Sequence, residues 1–460
     1  MNHQKICFRT TMILSTFFAL LISLFLQVPT ASAVPSYARQ TGFPCKACHY
    51  MPPELTSLGR AFKLNGYTMA GKPTVTSPGK GNQSGLNILE SFPLSVLFDT
   101  SFTNLKTPQP GSQNGSFEFP QQASLFLAGA WATHVGSFVQ VTYTSQGDHF
   151  TWDNSDIRYA NATKLFKKDL AFGITLNNNP TVEDLWNSTP AWGFPWAASD
   201  WAPSPNAGAI INGALAQDVA GIGLYGMWDN HLYLAGTIYR SAHIGAPQPN
   251  TGVDNSGAPL PFNIRGVAPY WRLAWQQNMK NNNLEIGTYG MHMKSTAGAI
   301  TGLEDGYTDW AVDFQDDLTI PKLHNDVLSL RGTYIRENSS LLATATALAD
   351  PIVQHHLNTV QANAEYHFGD KYAATIGYFE MDGTPDPLLF PEAPVGGNLN
   401  GDPRSDGIIA NVSWWPVQNI GLTFQYTGYT RFNGGGTNYD LAGRNAGSNN
   451  TLYLLARFVF

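Results

Sequence analysis

From Leu86 to the C-terminus, apolar and polar residues alternate repeatedly with a period of two. In Leu357 to Phe368, Val360, Ala362, Ala364, Tyr366 and Phe368 share one face. Thr359, Gln361, Asn363, Glu365 and His367 share the other. Ile420, Leu422, Phe424 and Tyr426 oppose Gly421, Thr423, Gln425 and Thr427; Trp271, Leu273 and Trp275 oppose Arg272 and Gln276; Trp310, Val312 and Phe314 oppose Asp309, Asp313 and Gln315. This is the period of a strand, whose successive side chains point to opposite faces. The pattern predicts strands near 87–99, 117–132, 137–146, 152–162, 169–177, 216–228, 231–242, 266–277, 283–294, 306–317, 326–337, 356–368, 371–382, 405–415, 419–432 and 448–460.

An apolar outer face and a polar inner face over about ten residues is the pattern of a transmembrane β-barrel. A soluble sandwich also alternates, but with its polar face outside. Loop lengths favour the barrel. Asp229-Asn230, Gly369-Asp370 and Pro416-Val417-Gln418 read as tight turns, whereas 100–116, 178–215, 243–265, 338–355, 383–404 and 433–447 read as long loops. Short turns at one rim and long loops at the other is the outer-membrane arrangement, and an even strand number returns both barrel termini to the short-turn, periplasmic side. The last strand alternates through Leu452, Leu454, Ala456 and Phe458 and ends on Phe460, resembling the assembly signal of outer-membrane barrels. The expected fold is mainly β: an antiparallel barrel of about sixteen strands over residues 86–460. Arg158, Arg272, Asp309, Asp313, Arg331, Glu365 and His367 are expected on its inner wall.

The N-terminal part differs. Lys5 and Arg9 precede a short apolar stretch, Met12 to Leu26, and Ala31-Ser32-Ala33 is a small-residue cleavage site, so residues 1–33 read as a secretory signal peptide. The apolar run is short for a membrane anchor. Removing Lys5 and Arg9 with it takes the formal charge from −7 to −9, which argues against nucleic acid as a partner. Of three cysteines, Cys7 leaves with this segment and Cys45 and Cys48 remain.

Residues 34–85 read as a small helical module with a Gly/Ser/Pro/Thr-rich linker from Thr74 to Gly85. Pro52-Pro53 are expected to start a helix with Glu54 at its positive end, Leu55, Leu58 and Phe62 fall at helical spacing, and Gly66 ends it. The module opens with Cys45-Lys46-Ala47-Cys48-His49. C-x-x-C-H is the attachment signature of a c-type haem: two thiols add to the haem vinyl groups and the adjacent imidazole ligates the iron. A zinc site would need further ligands and no second Cys pair exists. A redox pair would sit in a βαβ pattern, which is absent, and a structural disulfide would not require His49. About fifty residues bury little apolar surface alone, so one covalent haem c would be part of the module's core.

These features together resemble the outer-membrane fused cytochrome–porin family, in which one c-type haem motif is joined to a sixteen-strand barrel. The resemblance lies in Tyr37-Ala38-Arg39-Gln40-Thr41-Gly42, Cys45 to His49, Pro53-Glu54-Leu55-Thr56 and Gly59 to Tyr67. It lies again in Asn177 to Thr181 and Pro190 to Pro195. It implies an Fe(II) oxidase or extracellular electron-transfer cytochrome in the bacterial outer membrane. Such a protein takes electrons from an extracellular donor, Fe(II) in the iron-oxidase type, and passes them to a periplasmic c-type cytochrome. Two other readings stand beside it: a diffusion porin carrying a periplasmic haem domain, and a soluble periplasmic β-rich cytochrome.

His49 is the proximal ligand by its place in the motif. Met69 is the candidate distal ligand, because the chain between them can fold back and a thioether raises the potential. His367 on the inner face, with His134, His231 and His355 near strand ends, supplies rivals. Arg39, Arg60 and Lys63 are candidate partners of the haem propionates. Tyr37, Phe43, Tyr50, Phe62 and Tyr67 are expected to wall the haem. The loop from Asn178 to Asn206, with Trp186, Trp192, Trp196 and Trp201, is too stiff for a linker and is expected to fold inward or cap the mouth. Asp148, Glu183, Asp184, Asp200, Glu304, Asp305 and Asp402 are expected on the extracellular side, where they would favour approach of a cation. A sixteen-strand barrel is wide enough to hold a plug, so the module is expected to insert into the lumen from the periplasmic side.

Overall fold

The computed structural model describes residues 34–69, 75–77, 86–88, 92–145, 147, 149–241, 262–296, 301–323 and 325–460. The expected signal peptide, most of the linker and Asp148 lie outside the described residues.

Three short helices come first: α1 (Pro35–Thr41), α2 (Cys45–Cys48) and α3 (Ser57–Leu64). Strands β1 (Val75–Ser77) and β2 (Leu86–Ile88) pair only with each other. Sixteen strands then close a barrel. They are β3 (Leu94–Leu105), β4 (Ser116–Ala132), β5 (Val135–Thr144), β6 (His149–Leu165), β7 (Lys168–Asn177), β8 (Val219–Trp228), β9 (Leu232–Ser241), β10 (Ala268–Asn278), β11 (Asn282–Ser295), β12 (Asp305–Ile320), β13 (Asp326–Leu341), β14 (Gln354–Phe368), β15 (Tyr372–Gly383), β16 (Ser405–Val417), β17 (Ile420–Arg431) and β18 (Thr451–Val459). Each pairs antiparallel with its neighbours in sequence. β18 returns to β3, from Thr451 opposite Leu105 to Val459 opposite Leu97, so the sheet has no open edge.

The alternation sorts the two faces as expected. Trp271, Leu273 and Trp275 on β10 are 44%, 40% and 41% exposed, while Arg272 between them is 1% exposed. A surface that exposes tryptophan and leucine and buries arginine suits a lipid exterior. All seven inner-wall residues named above are buried. Short connections join β4 to β5, β6 to β7, β8 to β9, β10 to β11, β12 to β13, β14 to β15 and β16 to β17, and the long ones lie at the opposite rim. At the tight turn between β8 and β9, Asp229 and Asn230 take φ of 51° and 56°, which short polar side chains tolerate.

Three expectations need correction. The first barrel strand begins at Leu94, not near 87: the run at Leu86 is a strand, but it pairs locally with β1, and Pro93, lacking an N–H, precedes the barrel strand. The helix after the C-x-x-C-H segment begins at Ser57, where Thr56 caps it by accepting from the N–H of Gly59. Pro52-Pro53 lie in the preceding turn, and Glu54 points to the barrel wall instead. Glu183 and Asp184 are not at the extracellular surface but fully buried in the lumen. Asp305 is also buried and caps a fourth helix, α4 (Leu342–Leu348), by accepting from the N–H groups of Ala343 and Thr344.

Candidate functional site

The N-terminal helices and the loop joining β7 to β8 meet inside the barrel. Gln40 on α1 ties three pieces together: its Nε2 donates to the carbonyls of Tyr67 and Met69 at 2.7 and 2.8 Å, and its Oε1 accepts from the N–H of Ala130 on β4 at 2.9 Å. Tyr37 donates to the carbonyl of Ser137 at 2.6 Å. Tyr67 donates to Asp156, which also pairs with Arg158 at 2.7 Å. Gly66, at φ 65°, lies so close to the wall that the main-chain oxygen of this residue would meet a Cβ on Gly136 at 2.2 Å.

Cys45 to Cys48 form one helical turn at the short-turn rim. The N–H of Cys45 donates to Gln418 at 2.9 Å, and Lys46 pairs with Asp370. Thr56 closes the segment: its N–H donates to the carbonyl of Cys48 at 2.9 Å and its hydroxyl to that of Ala47 at 2.7 Å. Nδ1 of His49 is 3.2 Å from the carbonyl of Glu54. A carbonyl only accepts, so the hydrogen belongs on Nδ1 and the Nε2 lone pair is left for a metal. Burial pulls the His49 imidazole below its ordinary pKa, which also favours the neutral ligand form.

Across the lumen, the loop packs against these helices. Asn187 accepts from the N–H of Leu55 at 3.0 Å and its own N–H donates to Gln315 at 2.8 Å. Asp184 pairs with Arg272 at 2.9 Å, and Ser188 donates to Asp313 at 2.6 Å. Lys63 donates to the carbonyl of Val182 at 2.7 Å and lies 4.7 Å from the Trp192 ring centre. Burial pushes Lys63 down to about 7 and Glu183 up to about 7. The later part of the loop is fixed to the upper wall, where the N–H groups of Ile210 and Ile211 donate to Glu337 and Asp309. The expected inward fold of this loop is what the structure has.

Between module, loop and wall lies a cavity of about 400 Å³. Cys45, Cys48 and His49 line it together, with Tyr37, Phe43, Phe62 and Tyr67 from the module, Phe126 and Phe138 from the wall, and Trp186, Trp192 and Trp196 from the loop. Among the described residues, neither Cys45 nor Cys48 is in a disulfide. The volume falls in the range of small-molecule and cofactor sites, and the lining is mainly apolar and rich in aromatic rings, as such sites are. The donor set and the cavity therefore fit a covalently held, flat, apolar group.

The candidate cations separate. Lys63 lines the cavity. Arg60 is instead paired with Asp317 at 3.0 Å, and Arg39 is bonded to the carbonyls of Phe92 and Leu94. Met69 is not among the lining residues, nor are His134, His231, His355 or His367. Tyr50 faces His367, with ring centres 5.4 Å apart. Arg457, which sequence reasoning passed over, does line the cavity and pairs with Asp99 at 2.7 Å. Its only sequence signal is a charge inside the terminal strand, on a position whose partner is far away in the chain.

No protein-family model matches the chain, and no curated protein matches it. Among solved structures it is similar to the outer membrane channel DcaP of Acinetobacter baumannii, with 12% identity over 80% of this chain and 96% of that one and a TM-score of 0.46. It is similar to an anion-selective porin from Comamonas acidovorans, with 12% identity, 80% and 98% coverage and a TM-score of 0.44. It is also similar to OmpF of Salmonella typhi in complex with daunomycin, with 12% identity, 80% and 97% coverage and a TM-score of 0.42.

Proposed function

We propose that this barrel is an outer-membrane electron conduit of the fused cytochrome–porin type, holding one haem c at Cys45 and Cys48. It would take electrons from an extracellular donor, with Fe(II) as substrate, and deliver them to a periplasmic c-type cytochrome. One observation carries the reading: the two thiols and His49 line one cavity, rich in aromatic rings, between the module, the loop and the barrel wall. When bound, haem c supplies a one-electron iron couple. The chain's own residues do the rest. Cys45 and Cys48 provide the covalent attachment, and His49 offers Nε2 while Glu54 holds its ring. Lys63 and Arg457 are the cations within the cavity that can face carboxylates. The rings of Phe62, Phe126, Phe138 and Trp192 would limit contact of the bound group with water, and the ion pair of Asp184 with Arg272 holds the loop to the wall.

The architecture by itself favours the second reading, a diffusion porin carrying a haem domain, because barrels of sixteen strands leave an aqueous channel. Buried pairs such as Asp184–Arg272 and Arg60–Asp317, which tie the loop and the module to the wall inside that channel, support the conduit. Single-channel recording in a planar bilayer tests the choice. The conduit predicts a silent membrane beside a redox-active haem; steady open-pore currents from the intact protein would transfer the reading to the porin.

A further inference from the structure

We propose that Glu54, Glu365 and His367 form a binding site for a divalent first-row transition cation, beside the C-x-x-C-H segment and distinct from it. Glu365 and His367 project inward from β14 by the strand period, and Glu54 reaches them from the turn after His49. One ligand atom from each lies within 4.8 Å of the others, and all three residues are buried.

Arg331 on β13 divides the carboxylate oxygens. Its Nη2 pairs with Oε1 of Glu54, and its Nη1 with Oε2 of Glu365. The remaining oxygens, Oε2 of Glu54 and Oε1 of Glu365, lie 3.6 and 3.9 Å from Nε2 of His367. These separations are too long for hydrogen bonds. They are close to the roughly 3–4 Å between ligand atoms that share one ion at about 2.0–2.2 Å from each. Oε2 of Glu54 and both ring nitrogens of His367 have no hydrogen-bond partner, although these residues are at most 2% exposed. Buried polar atoms without partners call for a ligand. Two carboxylate oxygens and an imidazole nitrogen that converge on one point are ligands for a cation, and its binding would require the neutral imidazole. One imidazole and two carboxylates, with no thiolate, suit Mn(II), Fe(II) or Zn(II) rather than Cu(I).

The site also touches the segment described above, since the carbonyl of Glu54 holds Nδ1 of His49. Resting on the haem reading, a cation here disfavours the more positive oxidised centre and raises its reduction potential.

The test uses the full chain in detergent, washed with chelator and titrated with Mn(II), with free Mn(II) read by electron paramagnetic resonance. The expected result is about one Mn(II) per chain, displaced by Zn(II), with a pulsed-resonance coupling to one imidazole nitrogen. Glu365→Gln and His367→Gln should each weaken binding at least tenfold, with heat-modifiable gel migration confirming a folded barrel. If a variant fails to fold, the imidazole coupling in the wild-type protein decides. No saturable Mn(II), no nitrogen coupling, or equal affinity in folded variants overturns the site. The same titration on Cys45→Ala/Cys48→Ala separates this from the haem reading: Mn(II) bound without haem upholds the site alone.

Discussion

Nδ1 of His49 lies 3.2 Å from the carbonyl oxygen of Glu54, five residues on. That contact leaves Nε2 as the nitrogen available to a haem iron. Replacing His49 with Ala should shift the haem spectrum toward a weaker-field, high-spin form and reduce haem loading. Because Met69 does not line the cavity, Met69→Ala should leave the haem spectrum and potential unchanged. Loss of a Met–iron charge-transfer band would show instead that Met69 ligates the iron.

On the haem reading, covalent attachment should depend on both thiols. Cys45→Ala or Cys48→Ala should lower haem-peroxidase staining on a denaturing gel, and the double variant should abolish it. The barrel should still show heat-modifiable migration, because its closure between β3 and β18 involves neither cysteine.

The module's seat on the wall depends on a missing side chain. A Cβ on Gly136 would stand 2.2 Å from the main-chain oxygen of Gly66. Gly136→Ala should therefore push the module from the lumen at a cost of about 1–3 kcal/mol. The expected readouts are new bilayer conductance and faster proteolysis between α1 and α3, with the barrel intact. A silent bilayer and unchanged proteolysis would show that the module tolerates the shift.

Stability should depend on pH through Glu183. Burial raises its pKa from 4.5 to about 7. Between these values the folded chain holds a proton that the unfolded chain has released, so stability falls as pH rises through this window and levels off above about 7. The change is up to about 3 kcal/mol. In the haem-free Cys45→Ala/Cys48→Ala chain, Lys63, lowered from 10.5 to about 7, acts in the opposite sense above pH 7, where stability recovers as pH rises. The combined contribution is lowest near neutrality. Melting followed by heat-modifiable migration from pH 4.5 to 9 should show this minimum, and Glu183→Gln should flatten its acidic limb.

Much of the barrel was legible because its signal is local. On β14, alternate positions alone place Thr359, Glu365 and His367 in the lumen, where they are buried. Alternation cannot say which strand is the partner, so the run at Leu86 reads as the start of the barrel although it pairs with β1. Glu183 and Asp184 look like ordinary loop carboxylates, and only Arg272 on a distant strand reveals Asp184 as a lumen residue. Arg60 faces the same limit: a cation near a haem motif suggests a propionate, but Asp317 claims it. The C-x-x-C-H segment carries its chemistry within five residues. The cavity around it needs Phe126, Phe138 and Trp192, whose convergence depends on barrel closure and the path of the loop.

Electrons should cross this barrel while solutes do not, and sealed liposomes separate the two. Liposomes carrying the protein and a trapped ferricyanide acceptor are given Fe(II) outside. The ferricyanide colour should fade with the wild-type protein and persist with Cys45→Ala/Cys48→Ala, and a trapped dye of similar size should be fully retained. Equal reduction by the double variant, or escape of the dye at the rate of reduction, would contradict the conduit.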